Sequence, residues 1–266
     1  MGDYRAKVGD VEMVSLTDGQ GEGVATDVFP ASAIDIWRSE YPELLDGDLI
    51  HPRFGSVALR SSGRLVVIDT GMNGPDGALL GDMTAKGIDR EAVDLVVTTH
   101  LHPDHVGWNL TDGSPTFPNA RYLVPKSDWE YWTSPGVIEN APHITESVVP
   151  LDEARVLDLI DGEYDVTPEL KTVPTPGHTP GHISVSISSR GQRGFVLGDV
   201  AHSPAQAHYA NWSPAFDVDP DLARTTRHKV LDELEEGAVL VQSGHFPAPG
   251  YGSFVRSDGR RIWQPA

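Results

Sequence analysis

The sequence contains no cysteine among its 266 residues. This absence excludes disulfide bonds, thiolate metal ligands and a cysteine nucleophile. The G-x-S-x-G motif of serine hydrolases is also absent. No apolar run approaches the roughly 20 residues that a membrane-spanning helix needs, and the first residues do not form a signal-peptide pattern. We therefore expect a cytoplasmic protein that does not bind a membrane.

Positive charge is scarce in this chain. Lys and Arg together number 20 against 39 Asp and Glu, which gives a formal net charge of −19. Binding to nucleic acid or to an anionic membrane depends on cationic side chains, so both partners are disfavoured. The same charge favours a neutral small-molecule substrate, although acidity that serves only solubility explains the composition equally well.

The pattern of apolar residues indicates an α/β protein with a single domain over residues 1–266. Apolar residues make up 39% of the chain, as in ordinary globular proteins. Several strand-like runs are solidly apolar, which is typical of strands buried on both faces. The predicted strands span residues 7–16, 56–59, 64–69, 94–98, 121–124, 183–188, 194–197 and 238–242. Strands mixed with helices without strict alternation suggest sheets sandwiched by helices.

One long helix is predicted over residues 220–236. Asp219 is placed to cap its N-terminus, Pro220 suits the first turn, and Gly237 follows its end. Its core-facing side chains are expected to be four apolar residues, namely Leu222, Val230, Leu231 and Leu234.

Two long segments, residues 26–53 and 127–147, do not follow a regular pattern and are rich in aromatic residues. Long irregular segments in compact domains often form lids or binding loops beside an active site. An equally good interpretation is that their aromatic side chains complete the core or a homodimer interface.

The strongest chemical signal is the run Thr-His-Leu-His-Pro-Asp-His at residues 99–105, directly after a predicted strand. Imidazole is the commonest protein ligand for zinc and similar metals, and carboxylate complements it. Strand alternation sends His100 and His102 to the same side, and Asp104 and His105 follow as the chain turns. Four potential ligands in six residues can therefore reach two adjacent metal positions.

Three further candidate ligands have neighbouring glycines and lie at strand boundaries. Asp199 and His245 each follow a predicted strand, and His178 precedes one within Pro-Gly-His-Thr-Pro-Gly-His. Glycine allows tight turns and close backbone approach at such positions. A single histidine after a strand is usually structural. The cluster at residues 100–105 together with three glycine-flanked candidates at strand boundaries favours a metal site instead.

These motifs resemble those of the metallo-β-lactamase superfamily, whose HxHxDH motif is present in full. The resemblance runs from Val66-Val67-Ile68-Asp69-Thr70-Gly71 to Ser243-Gly244-His245 and implies an αββα sandwich of two mixed sheets flanked by helices. It implies that His100, His102 and His178 hold one metal, that Asp104, His105 and His245 hold the other, and that Asp199 bridges both together with a water or hydroxide. It also implies a supporting role for Asp69 near the site and a structural role for His182. Two divalent ions are expected, zinc by default, with Mn, Fe or Co as alternatives.

Departures from individual branches of the superfamily narrow the expected reaction. The best-known β-lactamases use a cysteine ligand, which this chain lacks, and RNA-processing members need a basic surface. The remaining pattern is similar to quorum-quenching lactonases and methyl parathion hydrolase-like enzymes. In many acyl-homoserine lactone hydrolases a tyrosine lies three residues after the bridging aspartate, whereas this chain has His202.

We therefore expect hydrolysis of a neutral lactone or carboxylic ester, with Asp104 and His202 as the candidate catalytic residues. His202 could donate a hydrogen bond to the carbonyl or protonate the leaving alkoxide, or it could be a hydrogen-bonded residue behind the ligands. A phosphotriester hydrolase is the alternative within enzymes. A non-catalytic metal-binding or partner-binding protein is the alternative of another class.

Overall fold

The computed structural model describes residues 4–266, which form two seven-stranded sheets packed face to face with helices on both outer surfaces. The predicted αββα sandwich is therefore confirmed. Both sheets mix parallel and antiparallel pairs. In spatial order the first sheet contains Arg5–Val8, Val11–Gln20, Arg53–Ser61, Arg64–Ile68, Leu95–Val97, Arg121–Pro125 and Leu157–Ile160.

The second sheet and the helices complete the four layers. In spatial order the second sheet contains Asp165–Thr167, Leu170–Pro174, Ile183–Ser189, Gln192–Val196, Leu240–Gln242, Tyr251–Ser257 and Arg260–Pro265. Two small hairpins pair Gly23–Val24 with Leu49–Ile50 and Leu110–Thr111 with Ser114–Pro115. The α-helices are Ala25–Val28, Ile34–Glu40, Leu79–Ala85, Pro103–Val106, Lys126–Trp132, Pro142–Ser147, Val149–Glu153 and Pro220–Glu236. Within residues 4–266, no helix has the length and apolar character needed to cross a membrane.

The apolar runs of the sequence are strands that are buried on both faces. In the strand Arg64–Ile68, Val66 and Ile68 pack against the second sheet, while Val67 packs against the helices on the outer surface. Successive side chains of a strand point to opposite faces, so a strand between two layers must be apolar at every position.

The long helix Pro220–Glu236 is confirmed, including its cap, because the Asp219 carboxylate accepts the backbone N–H of Leu222 at 3.0 Å. Its buried face differs from the prediction at three positions. Leu222 is 39% exposed, whereas Ala223 is buried and Arg227 is fully buried. Arg227 donates hydrogen bonds to three backbone carbonyls and pairs with Asp217 at 3.3 Å, so hydrogen bonds and charge offset its burial.

The strands predicted over residues 56–59, 64–69, 94–98, 121–124, 183–188, 194–197 and 238–242 exist with shifted ends. The single strand predicted over residues 7–16 is wrong. Gly9 adopts a positive φ of 58°, which lets the chain reverse between Arg5–Val8 and Val11–Gln20. Five strands of the two large sheets were not predicted, namely Leu157–Ile160, Asp165–Thr167, Leu170–Pro174, Tyr251–Ser257 and Arg260–Pro265.

The two aromatic segments are more regular than predicted, since each contains short helices. From residues 26–53, Phe29 and Trp37 are fully buried and pack with Trp212, with ring centroids 5.2–6.4 Å apart. From residues 127–147, the Trp132 ring lies 5.3 Å from the His102 ring. The first segment therefore completes the core, and through Val28, Phe29 and Ile50 it also lines the cavity beside the candidate ligands. The second segment supports the candidate ligands.

Arg227→Met should lower the free energy of unfolding by about 3–5 kcal/mol, because it removes the guanidinium that pairs with the buried Asp217 carboxylate and leaves the Val200 and Ala210 carbonyls without donors. Urea unfolding followed by circular dichroism measures this loss. Lys229→Met, on the exposed face of the same helix, is the matched control and should change stability by less than about 0.5 kcal/mol. A similar small change for both variants would contradict the role given to Arg227.

Candidate metal centre

The ends of four strands meet at one edge of the sandwich. Arg64–Ile68 and Leu95–Val97 are parallel neighbours in the first sheet, and Gln192–Val196 and Leu240–Gln242 are parallel neighbours in the second. The Ile183 N–H donates to the Thr99 carbonyl at 2.9 Å, which joins the two sheets at this edge. The residues that follow the four strands are therefore brought together, as the sequence predicted.

The first group of candidate ligands comprises His100, His102 and His178. The distances are 3.0 Å from His100 Nε2 to His102 Nδ1, 2.9 Å from His102 Nδ1 to His178 Nε2, and 3.2 Å from His178 Nε2 to His100 Nε2. A tetrahedral zinc ion with Zn–N distances of about 2.0–2.1 Å separates its ligand atoms by roughly 3.3 Å. The three nitrogens are thus spaced to surround one ion.

The second group comprises Asp104, His105 and His245. Asp104 Oδ2 lies 3.4 Å from His105 Nε2 and 3.6 Å from His245 Nε2. The ligand atoms of these three residues all lie within 4.8 Å of one another. The structure therefore brings together the set expected for a second ion.

Asp199 lies between the two groups. Its Oδ2 is 3.6 Å and 3.2 Å from Nε2 of His100 and His178, and 3.4 Å and 3.0 Å from Nε2 of His105 and His245. Asp199 Oδ1 and His105 Nε2 are buried and have no hydrogen-bond partner among residues 4–266. Unpartnered buried donors and acceptors are costly, so this arrangement fits residues that ligate metal ions.

The charges of the cluster also fit cations. Within the described chain no Lys or Arg pairs with Asp104 or Asp199; their close partners are histidines. Burial opposes ionisation of Asp199, but the neighbouring His245 and His105 outweigh it and hold the pKa of Asp199 well below its usual range. Burial lowers the pKa of His100 and His102, which keeps these rings neutral with lone pairs free for a metal.

Hydrogen bonds behind the ligands turn their rings toward the centre. His105 Nδ1 donates to Asp69 Oδ2, His178 Nδ1 donates to Asp217 Oδ1, and His245 Nδ1 donates to the Arg53 carbonyl, each at 2.8 Å. Such contacts fix the tautomer that presents Nε2 to a metal. Burial lowers the pKa of His178, but hydrogen bonds with Asp199 and Asp217 outweigh it and raise this pKa to about 9.

Asp69, the supporting carboxylate that the sequence indicated, has a positive φ of 61°, which is uncommon for a residue other than glycine. Its Oδ1 accepts the Thr99 N–H at 2.7 Å. The strained backbone of Asp69 is therefore held by the segment that follows the strand Leu95–Val97 and carries the first ligands. By contrast, sequence reasoning missed Asp217 and Arg53. Neither residue belongs to a sequence motif, and Arg53 supports His245 through its backbone carbonyl, which no side-chain pattern can indicate.

Asp128 is a second carboxylate that sequence reasoning missed. It is fully buried on the helix Lys126–Trp132 and accepts the N–H of Leu101 at 2.9 Å and the N–H of Gly181 at 2.6 Å. Leu101 separates His100 from His102, and Gly181 lies in the loop that carries His178. The carbonyl of Leu101 also accepts the His143 Nε2–H at 2.9 Å. Residues 127–147 thus hold both loops that supply the first group.

His182, which by spacing resembles a ligand, has both ring nitrogens engaged within the protein. Its Nε2 accepts the Asp199 N–H at 2.8 Å, and its Nδ1 lies 3.0 Å from the Thr175 carbonyl. Burial lowers the pKa of His182 to about 3, in keeping with a neutral ring. The ring positions the Asp199 backbone, which agrees with the structural role expected from the sequence.

His202 lies beside the cluster. Its Nε2 is 3.0 Å from Asp199 Oδ2, its ring stacks on His245 with centroids 5.2 Å apart, and Phe216 covers it edge-on at 5.2 Å. Neither ring nitrogen satisfies hydrogen-bond geometry with a group of the described chain. Burial lowers the pKa of His202 to about 4, so the ring is neutral near pH 7.

A cavity of about 310 Å³ opens onto the cluster. Its floor contains His102, Asp104, Asp199, His202 and His245. Its walls contain Gly21, Glu22, Gly23, Val28, Phe29, Ile50, Pro52, Phe54, Met72, Pro103 and Phe216. The cavity thus combines an apolar enclosure with convergent metal-ligating groups, as small-molecule sites commonly do.

Comparison with known proteins gives consistent matches. The sequence model described as "Metallo-beta-lactamase superfamily" matches residues 55–245. An N-acyl homoserine lactonase of Bacillus thuringiensis is 25% identical over 225 residues, which cover 76% of this chain and 84% of that protein. The N-acyl homoserine lactonase AttM of Azorhizobium caulinodans is 34% identical over 190 residues, which cover 66% of this chain and 70% of that protein.

Two solved structures show the same fold over nearly the whole chain. Hydrolase AbOPH, described as in the beta lactamase superfamily, has a TM-score of 0.91 at 25% identity and covers 99% of this chain and 97% of its own. AidC, described as a dizinc quorum-quenching lactonase, has a TM-score of 0.87 at 22% identity and covers 98% of this chain and 96% of its own. At 22% identity, the likeness to AidC shows a shared fold and nothing more.

Asp128→Asn should weaken metal binding by the first group about 10- to 100-fold, because the amide nitrogen cannot accept one of the two backbone N–H groups. The second group should be less affected. Stepwise metal affinities, measured by titration against a chelator, test this. Asp94→Asn is the control. The Asp94 carboxylate also accepts a backbone N–H, that of Leu65, but it lies at the end of the strand Leu95–Val97 remote from the candidate ligands. Unchanged affinities in a folded Asp128→Asn protein would contradict the positioning role.

Proposed function

The chain belongs to the metallo-β-lactamase superfamily and is a metal-dependent hydrolase, and from this premise we propose that it cleaves a lactone or carboxylic ester at a centre of two divalent ions. The proposed ligands of one ion are His100, His102 and His178, and those of the other are Asp104, His105 and His245. Asp199 is the proposed bridge. The observation that carries the proposal is the contact of Asp199 Oδ2 with both groups at the floor of an apolar cavity.

The donor set favours zinc, because it contains only imidazole nitrogens and carboxylate oxygens within tetrahedral spacing, although Mn, Fe or Co also suit such donors. When bound, two such ions lower the pKa of a water molecule and polarise the substrate carbonyl. The chain's own contribution is to hold the ligand atoms in place through Asp69, Asp128 and Asp217, and to exclude bulk water with the apolar cavity walls.

Two observations favour a lactone or ester as the substrate. The relatives from Bacillus thuringiensis and Azorhizobium caulinodans are both named N-acyl homoserine lactonases. The cavity walls supply apolar side chains, including Val28, Phe29 and Phe54, which suit an alkyl or acyl group. A neutral small molecule with an apolar tail is therefore the substrate class that fits best.

His202 is the proposed hydrogen-bond donor to the substrate. It lines the cavity, its Nε2 lies 3.0 Å from Asp199 Oδ2, and neither ring nitrogen makes a hydrogen bond of good geometry within the described chain. A neutral imidazole N–H can stabilise charge that develops on the leaving oxygen. This role would replace that of the tyrosine expected at this position from acyl-homoserine lactone hydrolases.

Purified protein should bind about two metal ions per chain at saturation, and chelation should abolish hydrolysis. His105→Ala should lower the content to about one ion, since it removes a ligand of one group. His228→Ala, which removes an exposed histidine of the long helix, is the matched control and should keep both ions. Elemental analysis that finds one ion at saturation in a fully active enzyme would contradict the dinuclear proposal.

His202→Ala should lower kcat/KM for alkyl lactones by about 100-fold or more, with metal content unchanged, because an alkoxide is a poor leaving group. A nitrophenyl ester should lose much less, since its phenolate leaves without assistance. Steady-state kinetics on both substrates measure the difference. His202→Tyr should retain more lactone activity than His202→Ala.

Equal losses on both substrates would limit His202 to positioning the carbonyl. The same kinetic panel should include phosphotriesters, which are the alternative substrates of this ligand set. A wild-type enzyme that hydrolyses phosphotriesters and no lactone or ester would overturn the substrate assignment.

A further inference from the structure

Arg53 places a buried positive charge beside the loop that carries His245. This loop follows the strand Leu240–Gln242 of the second sheet, whereas Arg53 begins the strand Arg53–Ser61 of the first sheet. Burial lowers the pKa of Arg53 to about 10, which leaves the side chain charged near pH 7. A buried charge needs polar partners, so the partners of the guanidinium show what Arg53 holds in place.

Some partners of the guanidinium lie on both sides of His245 in the chain. Nη2 of Arg53 donates to the Ser243 carbonyl at 2.6 Å and to the Pro249 carbonyl at 3.4 Å. Nε donates to the Phe246 carbonyl at 3.1 Å. Because a planar guanidinium offers its N–H donors in fixed directions, it holds the loop both before and after the candidate ligand.

On its other side the guanidinium is anchored to the first sheet. Nη1 donates to the Leu16 carbonyl at 2.9 Å and to the hydroxyl groups of Ser15 and Thr17, both at 3.2 Å. All three residues belong to the strand Val11–Gln20. Within residues 4–266 the guanidinium therefore bonds to uncharged oxygens instead of carboxylates. One buried cation thus connects the first sheet with the ligand loop of the second.

The backbone of Arg53 completes the enclosure of His245. Its carbonyl accepts the His245 Nδ1–H at 2.8 Å, and its N–H donates to the His245 carbonyl at 3.3 Å. The close packing requires two glycines, because a Cβ atom at Gly55 or Gly250 would overlap the guanidinium nitrogens. Side chain and backbone of one residue therefore fix both the loop and the ring that presents Nε2 to the metal centre.

We propose that the Arg53 guanidinium is a positioning group for the ion of the second group, because it holds His245 where its Nε2 can ligate that ion. This inference rests on the ligand assignment of the proposed function. The other two ligands have supports of their own, since Asp104 lies on a helix and His105 Nδ1 donates to Asp69. The effect of Arg53 on the ion should therefore pass through His245.

The experiment measures the stepwise zinc affinities of the protein by titration against a chelator. The step that His105→Ala abolishes identifies the ion of the second group. Arg53→Lys keeps a positive charge but lacks the planar fork, so it should lower the affinity for this ion about 10- to 100-fold. The affinity for the ion of the first group should change by less than about twofold.

Arg261→Lys is the matched control. Arg261 is also a buried arginine, but it pairs with Asp232 and Glu235 at the C-terminal end of the helix Pro220–Glu236. This variant should leave both zinc affinities unchanged, even if it lowers the free energy of unfolding as much as Arg53→Lys does. A loss confined to one ion in one of two variants of similar stability separates positioning from general destabilisation.

Cobalt in place of zinc gives a spectroscopic readout of the same position. The visible absorption of cobalt in the second group should differ in shape between wild type and Arg53→Lys, because the direction of His245 Nε2 changes. Arg261→Lys should keep the wild-type spectrum.

Ser15→Ala provides a second, milder variant in case Arg53→Lys does not fold. It removes one hydroxyl partner of the guanidinium and also the 2.6 Å hydrogen bond from Ser15 to the Pro249 carbonyl, while Arg53 itself stays in place. The affinity for the ion of the second group should fall about threefold, since one or two hydrogen bonds are lost.

The inference is overturned if folded Arg53→Lys, or Ser15→Ala where the former does not fold, binds the ion of the second group as tightly as wild type. An equal loss of affinity for both ions overturns it as well. Two ions in the wild-type protein in these cases would leave the proposed dinuclear centre standing. If the wild type binds only one ion at saturation, the dinuclear proposal fails and this inference fails with it.

Discussion

The burial of the Asp199 carboxylate among five imidazole nitrogens is the constraint on which the site depends. Its Oδ2 lies within 3.0–3.6 Å of Nε2 of five histidines, namely His100, His105, His178, His202 and His245. A buried charge needs close partners, and these partners come from loops of both sheets. The two sheets must therefore pack so that the strand ends that carry the ligands lie at the same edge of the sandwich. The hydrogen bond from Ile183 to Thr99 and the Asp128 contacts to Leu101 and Gly181 maintain this arrangement.

Much of the fold and of the cluster could be predicted because the relevant signals are local. His100, His102, Asp104 and His105 lie within six residues after an apolar run, and the end of a strand places such residues at one edge of a sheet. The apolar runs are continuous because strands such as Arg64–Ile68 are covered on both faces. Local pattern therefore indicated the layers, the edge and the candidate ligands together.

What the sequence did not reveal depends on contacts between distant parts of the chain. Asp128 is a common surface residue type, and its role follows only from its distance to Leu101 and Gly181. Arg227 occupies a core-facing position because three backbone carbonyls and Asp217, which are distant in sequence, surround its guanidinium. The reversal at Gly9 interrupts an apolar run without changing its composition, so periodicity alone reads one strand instead of two.

The site separates the residues that support the chemistry from those that contact the rest of the substrate. The ligand atoms come from strand ends and are braced by buried carboxylates, so changes there would disturb the whole cluster. The cavity walls come mainly from the segments around Glu22, Phe29, Phe54 and Phe216, which do not belong to either ligand group. Substitutions in those segments can change the volume and charge of the cavity while the ligands stay in place. For this reason the ligand motif indicates the class of reaction, whereas the residues of the cavity walls determine which substrate is bound.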